Sequence, residues 1–245
     1  MKLILHGACG GMGRALRKLA AQTLPEAELI LADANAVPGE GYRALSEYDG
    51  PADCIIDFSH HSATAALLDY AEHRGLPVVI GTTGQTPAEL AAIRQASRLI
   101  PVLLASNLSM GVLVLQRLAR QAAKAFPDAD IELVEIHHNR KLDVPSGTAL
   151  TLANAMLSAR GEGELVIGRH ENGRRKPGQI GVHSLRMGNV VGVHEIHIST
   201  GTQTLTLRHE AHDRALFAEG ALQAAEFLID KPAGAYSVQD VLDAI

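Results

Sequence analysis

Tryptophan is absent from this 245-residue chain, and phenylalanine and tyrosine number only four each. With so few aromatic rings, a surface that binds nucleic acid by stacking on bases is not expected. Charge gives no such surface either: 22 Lys and Arg stand against 27 Asp and Glu, a formal net charge of −5. The one basic cluster, Arg174-Arg175-Lys176, is expected to be a solvated loop, so no nucleic-acid partner is expected. Long hydrophobic runs are also missing. No stretch reaches the roughly 18 apolar residues of a membrane span, and Met1 leads directly into a strand pattern rather than a signal peptide. No membrane association is expected, and the expected compartment is the cytoplasm. Two cysteines, Cys9 and Cys54, are too few for a disulfide framework. Cys9 is expected to be a small residue beside a ligand-binding turn rather than a reactive thiol.

Glycine, by contrast, is placed to a pattern. Lys2-Leu3-Ile4-Leu5 is a short apolar run, followed by His6-Gly7-Ala8-Cys9-Gly10-Gly11-Met12-Gly13-Arg14, with Leu16 and Leu19 continuing at helical spacing. Strand, glycine turn, helix is the context a dinucleotide site requires. The glycines allow a tight turn and let the backbone approach a pyrophosphate seated on the helix N-terminus. The spacing is G-x-x-G-x-x-G rather than G-x-G-x-x-G, because Cys9 holds the second usual position. A second strand pattern, Leu29-Ile30-Leu31-Ala32, ends at Asp33, 20 residues after Gly13. A carboxylate there can accept hydrogen bonds from the adenosine ribose.

Apolar runs alternate with helical patterns through the first half: strands at 2–6, 28–32, 53–58, 77–81 and 101–105, helices at 12–23, 61–74 and 87–97. This alternation predicts an α/β fold, a Rossmann-type doubly wound parallel sheet. Met110, Leu113, Val114, Leu118, Ala122 and Ala125 share one face of a helix over 110–125. From residue 130 strand patterns crowd together, at 130–137, 165–168, 179–187, 190–198 and 203–209, with one clear helix at 147–159. That predicts a smaller α+β domain with a mixed or mainly antiparallel sheet. Helix returns over 215–228 and again from Val238.

The densest chemistry lies between Glu132 and Ala149, which reads E-L-V-E-I-H-H-N-R-K-L-D-V-P-S-G-T-A. Histidine, present here as His137 and His138, is the side chain suited to exchange protons at neutral pH, and Lys141 is a mobile proton donor and point charge. Pro145-Ser146-Gly147-Thr148 opens an apolar run in the manner of a capped helix N-terminus, where backbone N–H groups attract anions. Proton donors, a fixed cation and an anion cradle together point to a site that binds and protonates an acidic small molecule. Glu132 and Glu135 are expected either to orient the histidines or to be surface strand carboxylates. Asp143 is expected to pair with Lys141 or to stabilise the turn.

The motif E-x-x-E-x-H-H-x-x-K-x-D-x-P-S-G-T-A resembles that of the 4-hydroxy-tetrahydrodipicolinate reductase (dihydrodipicolinate reductase) family. Further matches run in family order: Asp57-Phe58-Ser59, Gly81-Thr82-Thr83-Gly84, Ala105-Ser106-Asn107-Leu108-Ser109-Met110-Gly111 and Arg186-Met187-Gly188-Asn189-Val190-Val191-Gly192. The resemblance implies a nicotinamide-dependent reductase of lysine and diaminopimelate biosynthesis that delivers hydride to C4 of a cyclic imine dicarboxylate with loss of water. It implies His137 as proton donor or acceptor, Lys141 as second proton donor, and His138, Gly147 and Thr148 as substrate-binding. For the cofactor it implies the turn Gly7, Ala8, Cys9, Gly10, Gly11 and Met12, then Asp33, Gly81, Thr82, Thr83, Ala105, Ser106, Asn107 and Leu108. It also implies a discontinuous dinucleotide-binding domain of residues 1–107 and 215–245. Residues 108–214 would then form a substrate-binding and oligomerisation domain within a homotetramer. Arg214 matches a basic family position near the domain junction.

Three positions depart from the family pattern. Gly11 and Ala34 stand where many members carry basic residues, which removes cations that would meet a 2′-phosphate. NADH is therefore expected to be preferred, with NADPH as the other cofactor. His61 replaces a usual proline, and His60-His61 is expected to begin a helix. Metal ligation is not expected: His194/His197 and His209/His212 are i, i+3 pairs on strand patterns, which point to opposite faces. The competing readings are another nicotinamide-dependent oxidoreductase and a non-catalytic nucleotide sensor.

Overall fold

The structure, a computed structural model, describes residues 1–245. In chain order its elements are β1 (Lys2–His6), α1 (Gly11–Thr23), β2 (Glu28–Ala32), β3 (Cys54–Asp57), α2 (Thr64–Arg74), β4 (Val78–Ile80), α3 (Pro87–Ala96), β5 (Pro101–Leu104), α4 (Met110–Ala125) and β6 (Asp130–His137). They continue with α5 (Gly147–Arg160), β7 (Glu164–Ile167), β8 (Gln179–Arg186), β9 (Gly192–Ser199), β10 (Thr204–Ala211), α6 (Ala215–Leu228), β11 (Gly234–Tyr236) and α7 (Val238–Asp243). The chain divides into two compact units, Met1–Met110 with Arg214–Ile245, and Gly111–Asp213.

The first unit is built on a six-stranded parallel sheet, ordered β11-β5-β4-β3-β1-β2. Its strands read as continuous β-branched and leucine runs because both faces are covered. Ile4, Ile55, Val78, Ile80 and Val102 pack with Leu67, Leu68 and Ile93 of α2 and α3 on one face. Leu3, Leu5, Ile56, Val79 and Leu103 alternate to the other face and are fully buried. There α6 lies against β3, β4 and β5, with α1 beside it. The buried stripe of α6 is largely small (Ala218, Gly220, Ala221, Ala224, Ala225), which lets it approach closely. Truncating one of the buried Leu or Ile side chains to Ala would cost about 2–5 kcal/mol. The chain leaves β1 for β2 on one side and crosses to β3 on the other, so the strand order reverses between β1 and β3. Ligands of open α/β sheets bind outside the carboxyl ends at such a point.

The second unit holds a five-stranded sheet ordered β10-β9-β6-β8-β7, antiparallel from β10 to β6 and parallel from β6 to β7. Residues of α4 and α5 (Leu115, Ala119, Leu152, Met156) cover one face, packing on Ile131, Leu133, Ile180, Val182, Ile196 and Ile198. Along β6 the buried positions alternate as Ile131, Leu133, Glu135 and His137. The last two therefore carry the core row of the strand onward with polar side chains.

The doubly wound parallel sheet and the smaller mixed-sheet unit agree with expectation, most element ends falling within one or two residues. Two features differ. β11 was not expected, because Gly234-Ala235-Tyr236 is too short to show a period; it extends the first sheet by pairing with β5. Arg174 and Lys176 lie in an exposed loop as expected, but the Arg175 side chain between them is drawn in. That side chain is 18% exposed, with Nε donating to Asp130 at 2.7 Å and Nη1 paired with Glu132.

Candidate active site

In the first unit the strand ends make a cleft of about 540 Å³, lined by Gly11, Met12, Phe58, Ser59, His60, Gly81, Thr82, Thr83 and Arg214. Gly7 sits at φ +85°, a left-handed conformation, and a Cβ on it would lie 2.4 Å from the Phe58 carbonyl oxygen. A Cβ on Gly13 would lie 2.3 Å from the Gly7 carbonyl oxygen. These two glycines let the turn fold against both β3 and its own helix. α1 begins after Gly10 with no side-chain cap and no acidic residue in its first turn. Its first amides therefore face outward beside a positive helix end. Asp33 is tied to this turn, accepting the Cys9 N–H at 2.9 Å and the Asn35 N–H at 2.8 Å.

Of the residues expected at the cofactor, Gly11, Met12, Gly81, Thr82 and Thr83 line this cleft, and Gly7 to Gly10 form the turn beside it. Ala105, Ser106, Asn107 and Leu108 leave the carboxyl end of β5 beyond that lining, and the Asn107 carboxamide accepts the Ser109 N–H at 2.8 Å. Phe58, Ser59 and His60 are lining residues absent from the expected set, and Arg214, noted as a basic position near the domain junction, lines the cleft as well. The signal for the first three was positional: they follow β3, the strand at the order reversal. Asp57, buried behind them, accepts from the Ser59 hydroxyl at 2.6 Å and lies 2.8 Å from His6 Nδ1. His60 caps a short 3-10 turn with its ring accepting the Ser62 N–H, in keeping with its expected place at a helix start.

In the second unit the His137 side chain is 11% exposed, and its Nδ1 donates to Glu135 Oε2 at 2.5 Å. Glu135 is fully buried. Arg186 donates to both its oxygens, at 2.9 and 2.7 Å, and the Ser146 N–H adds a third donor at 3.1 Å. Burial pushes this carboxyl up, but the polar groups around it, Arg186 foremost, outweigh it and hold the group at about 2. Glu135 is therefore no surface carboxylate. Glu132, three residues earlier, points to the opposite face and pairs with His183 at 2.8 Å.

The strand register explains the convergence. Glu135 stands opposite Ser184 of β8 and His194 of β9, His137 opposite Arg186, and His194 opposite His209 of β10. His194 packs edge-on against His137 with ring centroids 5.4 Å apart. Burial, then the neighbouring His137, pushes His194 down to about 4, so it is neutral at physiological pH. Its Nε2 lies 3.3 Å from the Ser146 hydroxyl, which also caps α5 by accepting the Ala149 N–H at 3.2 Å. Lys141 pairs with Asp143 at 2.8 Å, as one expected reading had it, and that contact holds Asp143 below the usual carboxylate range. His137, His138, Lys141, Gly147 and Thr148 thus lie at the β6 end, on its connection to α5, and at the α5 start. Arg186 and His194 were not among the expected site residues.

This geometry can hold an anion, orient an imidazole and deliver protons. Comparison with known proteins gives the same direction. The sequence profile of the N-terminal part of dihydrodipicolinate reductase matches residues 1–108, and that of its C-terminal part matches 111–242. The 4-hydroxy-tetrahydrodipicolinate reductase of Alkaliphilus metalliredigens is 42% identical over 248 residues, covering 99% of each chain. That of Haloarcula marismortui is 38% identical over 250 residues, also covering 99% of each. In fold, the chain is similar to a dipicolinate-bound dihydrodipicolinate reductase from Paenisporosarcina sp. TG-14, with TM-score 0.76, 22% identity and 97% of each chain covered. Both sequence profiles match in order and the relatives align end to end, so the chain belongs to the dihydrodipicolinate reductase family.

Proposed function

We propose that the chain reduces 4-hydroxy-tetrahydrodipicolinate to tetrahydrodipicolinate with a reduced nicotinamide dinucleotide, in diaminopimelate and lysine biosynthesis. The observation that carries this reading is the stretch from His137 to Thr148. It brings a carboxylate-oriented imidazole, an ammonium group and a capped helix N-terminus into one segment. A cyclic imine with two carboxylates needs cationic and N–H-rich partners, together with acids for its departing hydroxyl and its ring. His137 exchanges one proton with the substrate and Lys141 donates the other. His138 and the backbone N–H groups of Gly147 and Thr148 hold a substrate carboxylate. The balance is one hydride and one proton taken up and one water released.

The first unit is the dinucleotide-binding domain in this reading, and its residues fit the group. Gly7 and Gly13 let the turn pack closely against the end of β3 and against its own helix, and the uncapped start of α1, with Gly10 and Gly11 exposed, suits a pyrophosphate. When bound, the reduced nicotinamide supplies the hydride that C4 accepts. Gly7 to Met12 hold the pyrophosphate and Asp33 the adenosine ribose, while Gly81–Thr83 and Ala105–Leu108 border the remainder. NADH is preferred over NADPH, because Gly11 and Ala34 place no charge near the ribose. The second unit binds the dicarboxylate and supports a homotetramer. No helix is long and apolar enough to cross a membrane, and the reaction is assigned to the cytoplasm.

The test follows nicotinamide oxidation with NADH and NADPH separately, on freshly made aspartate-semialdehyde–pyruvate condensation product. Turnover that collapses in His137→Gln and in Lys141→Ala supports the reaction and both roles. Dinucleotide binding without turnover would overturn it and favour a sensor.

A further inference from the structure

We infer that Glu135, clamped by Arg186, is the positioning residue for His137, fixing which imidazole nitrogen exchanges protons and tying that imidazole to the start of α5. The inference rests on the reaction proposed above and adds residues to it that the motif alone does not assign. A fully buried carboxylate in the middle of a core row is costly unless every lone pair is engaged. Here the engagement is complete: two bonds from Arg186, one from the Ser146 N–H and one from His137. An ionised carboxylate accepts and cannot donate. Nδ1 of His137 must therefore carry hydrogen, which leaves Nε2 as the nitrogen that gains and loses a proton.

The surroundings favour that nitrogen. A Cβ on Gly192 would lie 3.1 Å from His137 Nε2, so this glycine keeps open the space on which Nε2 abuts. The charged and titratable groups around His137 are Glu135 on its own strand, Arg186 on β8 and His194 on β9, with Lys141 beyond. Arg186 offsets the charge of Glu135, and His194 is neutral, so the imidazole is oriented without being locked into an ion pair with one unopposed anion. The same pair also anchors the substrate side. Glu135 takes the Ser146 N–H, and Arg186 Nη2 donates to the Asp143 carbonyl at 2.8 Å, so both ends of the turn before α5 are held by one carboxylate–guanidinium unit.

Histidine-selective ¹⁵N NMR of the full chain, run with steady-state kinetics on wild type and Glu135→Gln, tests this. The carboxamide keeps an oxygen for Arg186 or Ser146 but presents an N–H to Nδ1. Wild-type His137 should carry its proton on Nδ1, and the variant should move it to Nε2. kcat should fall on the order of 10²-fold, with KM for the dicarboxylate changed less than about threefold. A role confined to structure would move KM and leave the tautomer alone. Gly192→Ala, which leaves the buried pair intact, should lower kcat with the wild-type tautomer retained. A wild type protonated on Nε2, or a Glu135→Gln variant with kcat near wild type, overturns the inference. A wild type with the Nδ1–H tautomer but no turnover would sink the reaction while supporting the positioning.

Discussion

In the first unit the glycine turn at the cleft depends on closely packed backbone. Gly7, Gly13 and Gly81 stand where a Cβ would strike Phe58 or the turn itself, and the turn offers amides and a helix end. In the second unit the equivalent surface is made of side chains. A carboxylate, a guanidinium, two imidazoles and a hydroxyl from three strands and a helix cap hold one another in place. The difference fits the roles proposed for each unit. Gripping a pyrophosphate needs close approach and fixed dipoles, which bare backbone provides. Moving protons needs titratable groups in a set tautomer, which takes side chains braced by other side chains. The first kind of site should fail when atoms are added, the second when they are removed.

The largest effect tests the removal half. His137→Gln and Lys141→Ala should each lower kcat by about 10²–10⁴-fold, the usual range for a lost proton-transfer group, with dinucleotide affinity unchanged in a fluorescence titration. If either variant instead lost dinucleotide binding and kept kcat, the division between the units would not hold.

Next in size is the cost of keeping His194 neutral. Its folded value of about 4 lies below the ordinary 6.5. Between these values an unfolded chain takes up a proton that the folded chain refuses, so stability falls as pH drops from about 6.5 toward 4. At 4% residue exposure, a drop of that size is worth on the order of 3 kcal/mol. His209 is shifted in the same direction, by burial first and His212 second, and adds to the trend. Glu135 works lower, its contribution fading as pH falls from its ordinary range through about 2. Hydrogen exchange of β6 and β9 amides at pH 7 and 4.5 should show the loss in wild type and a flatter response in His194→Gln. An equal response in both would remove His194 from the account.

The same contrast governs what was legible in the sequence. Backbone sites are written as glycines within a few residues, so the turn from Gly7 to Gly13, the Asp33 partner and the strand–helix alternation could all be read locally. The braces of the second unit could not. Glu132 and Glu135 look alike in a list of strand residues. Only the register of β6 against β8 and β9, with Arg186 51 positions away, sends one to an open face and the other under α5. His194 is 48 positions from Ser146 and belonged to a set of histidines weighed as a metal pair. Arg175 reads as part of a basic loop until Asp130 and Glu132 are seen beside it.

The addition half is tested by Gly13→Ala. The new methyl would sit 2.3 Å from the Gly7 carbonyl oxygen, forcing the turn away from α1. Overpacking of this kind costs about 2 kcal/mol, roughly thirtyfold in dinucleotide affinity if it falls wholly on the bound state. Dicarboxylate binding to the second unit should be untouched in isothermal titration. A Gly13→Ala variant with wild-type dinucleotide affinity would show that space at Gly13 is not what matters.

The smallest effect concerns the ribose end of the first unit, where Asp33 already contributes a side chain. Arg14, one turn into α1, donates to the Cys9 carbonyl and so has its guanidinium engaged with the turn. Ala34 is exposed and Gly11 has open space around its Cβ position, so neither absent cation is excluded by crowding. An arginine at position 34 would add a bidentate partner for a 2′-phosphate while leaving Asp33 bonded to Cys9 and Asn35. Ala34→Arg should therefore raise kcat/KM for NADPH about tenfold, equivalent to ~1.4 kcal/mol, and change that for NADH little. Its salt dependence should steepen for NADPH alone, as expected of an exposed charge contact. A wild type that already uses both dinucleotides equally, or a variant that gains on both, would mean that charge at position 34 does not set the choice between them.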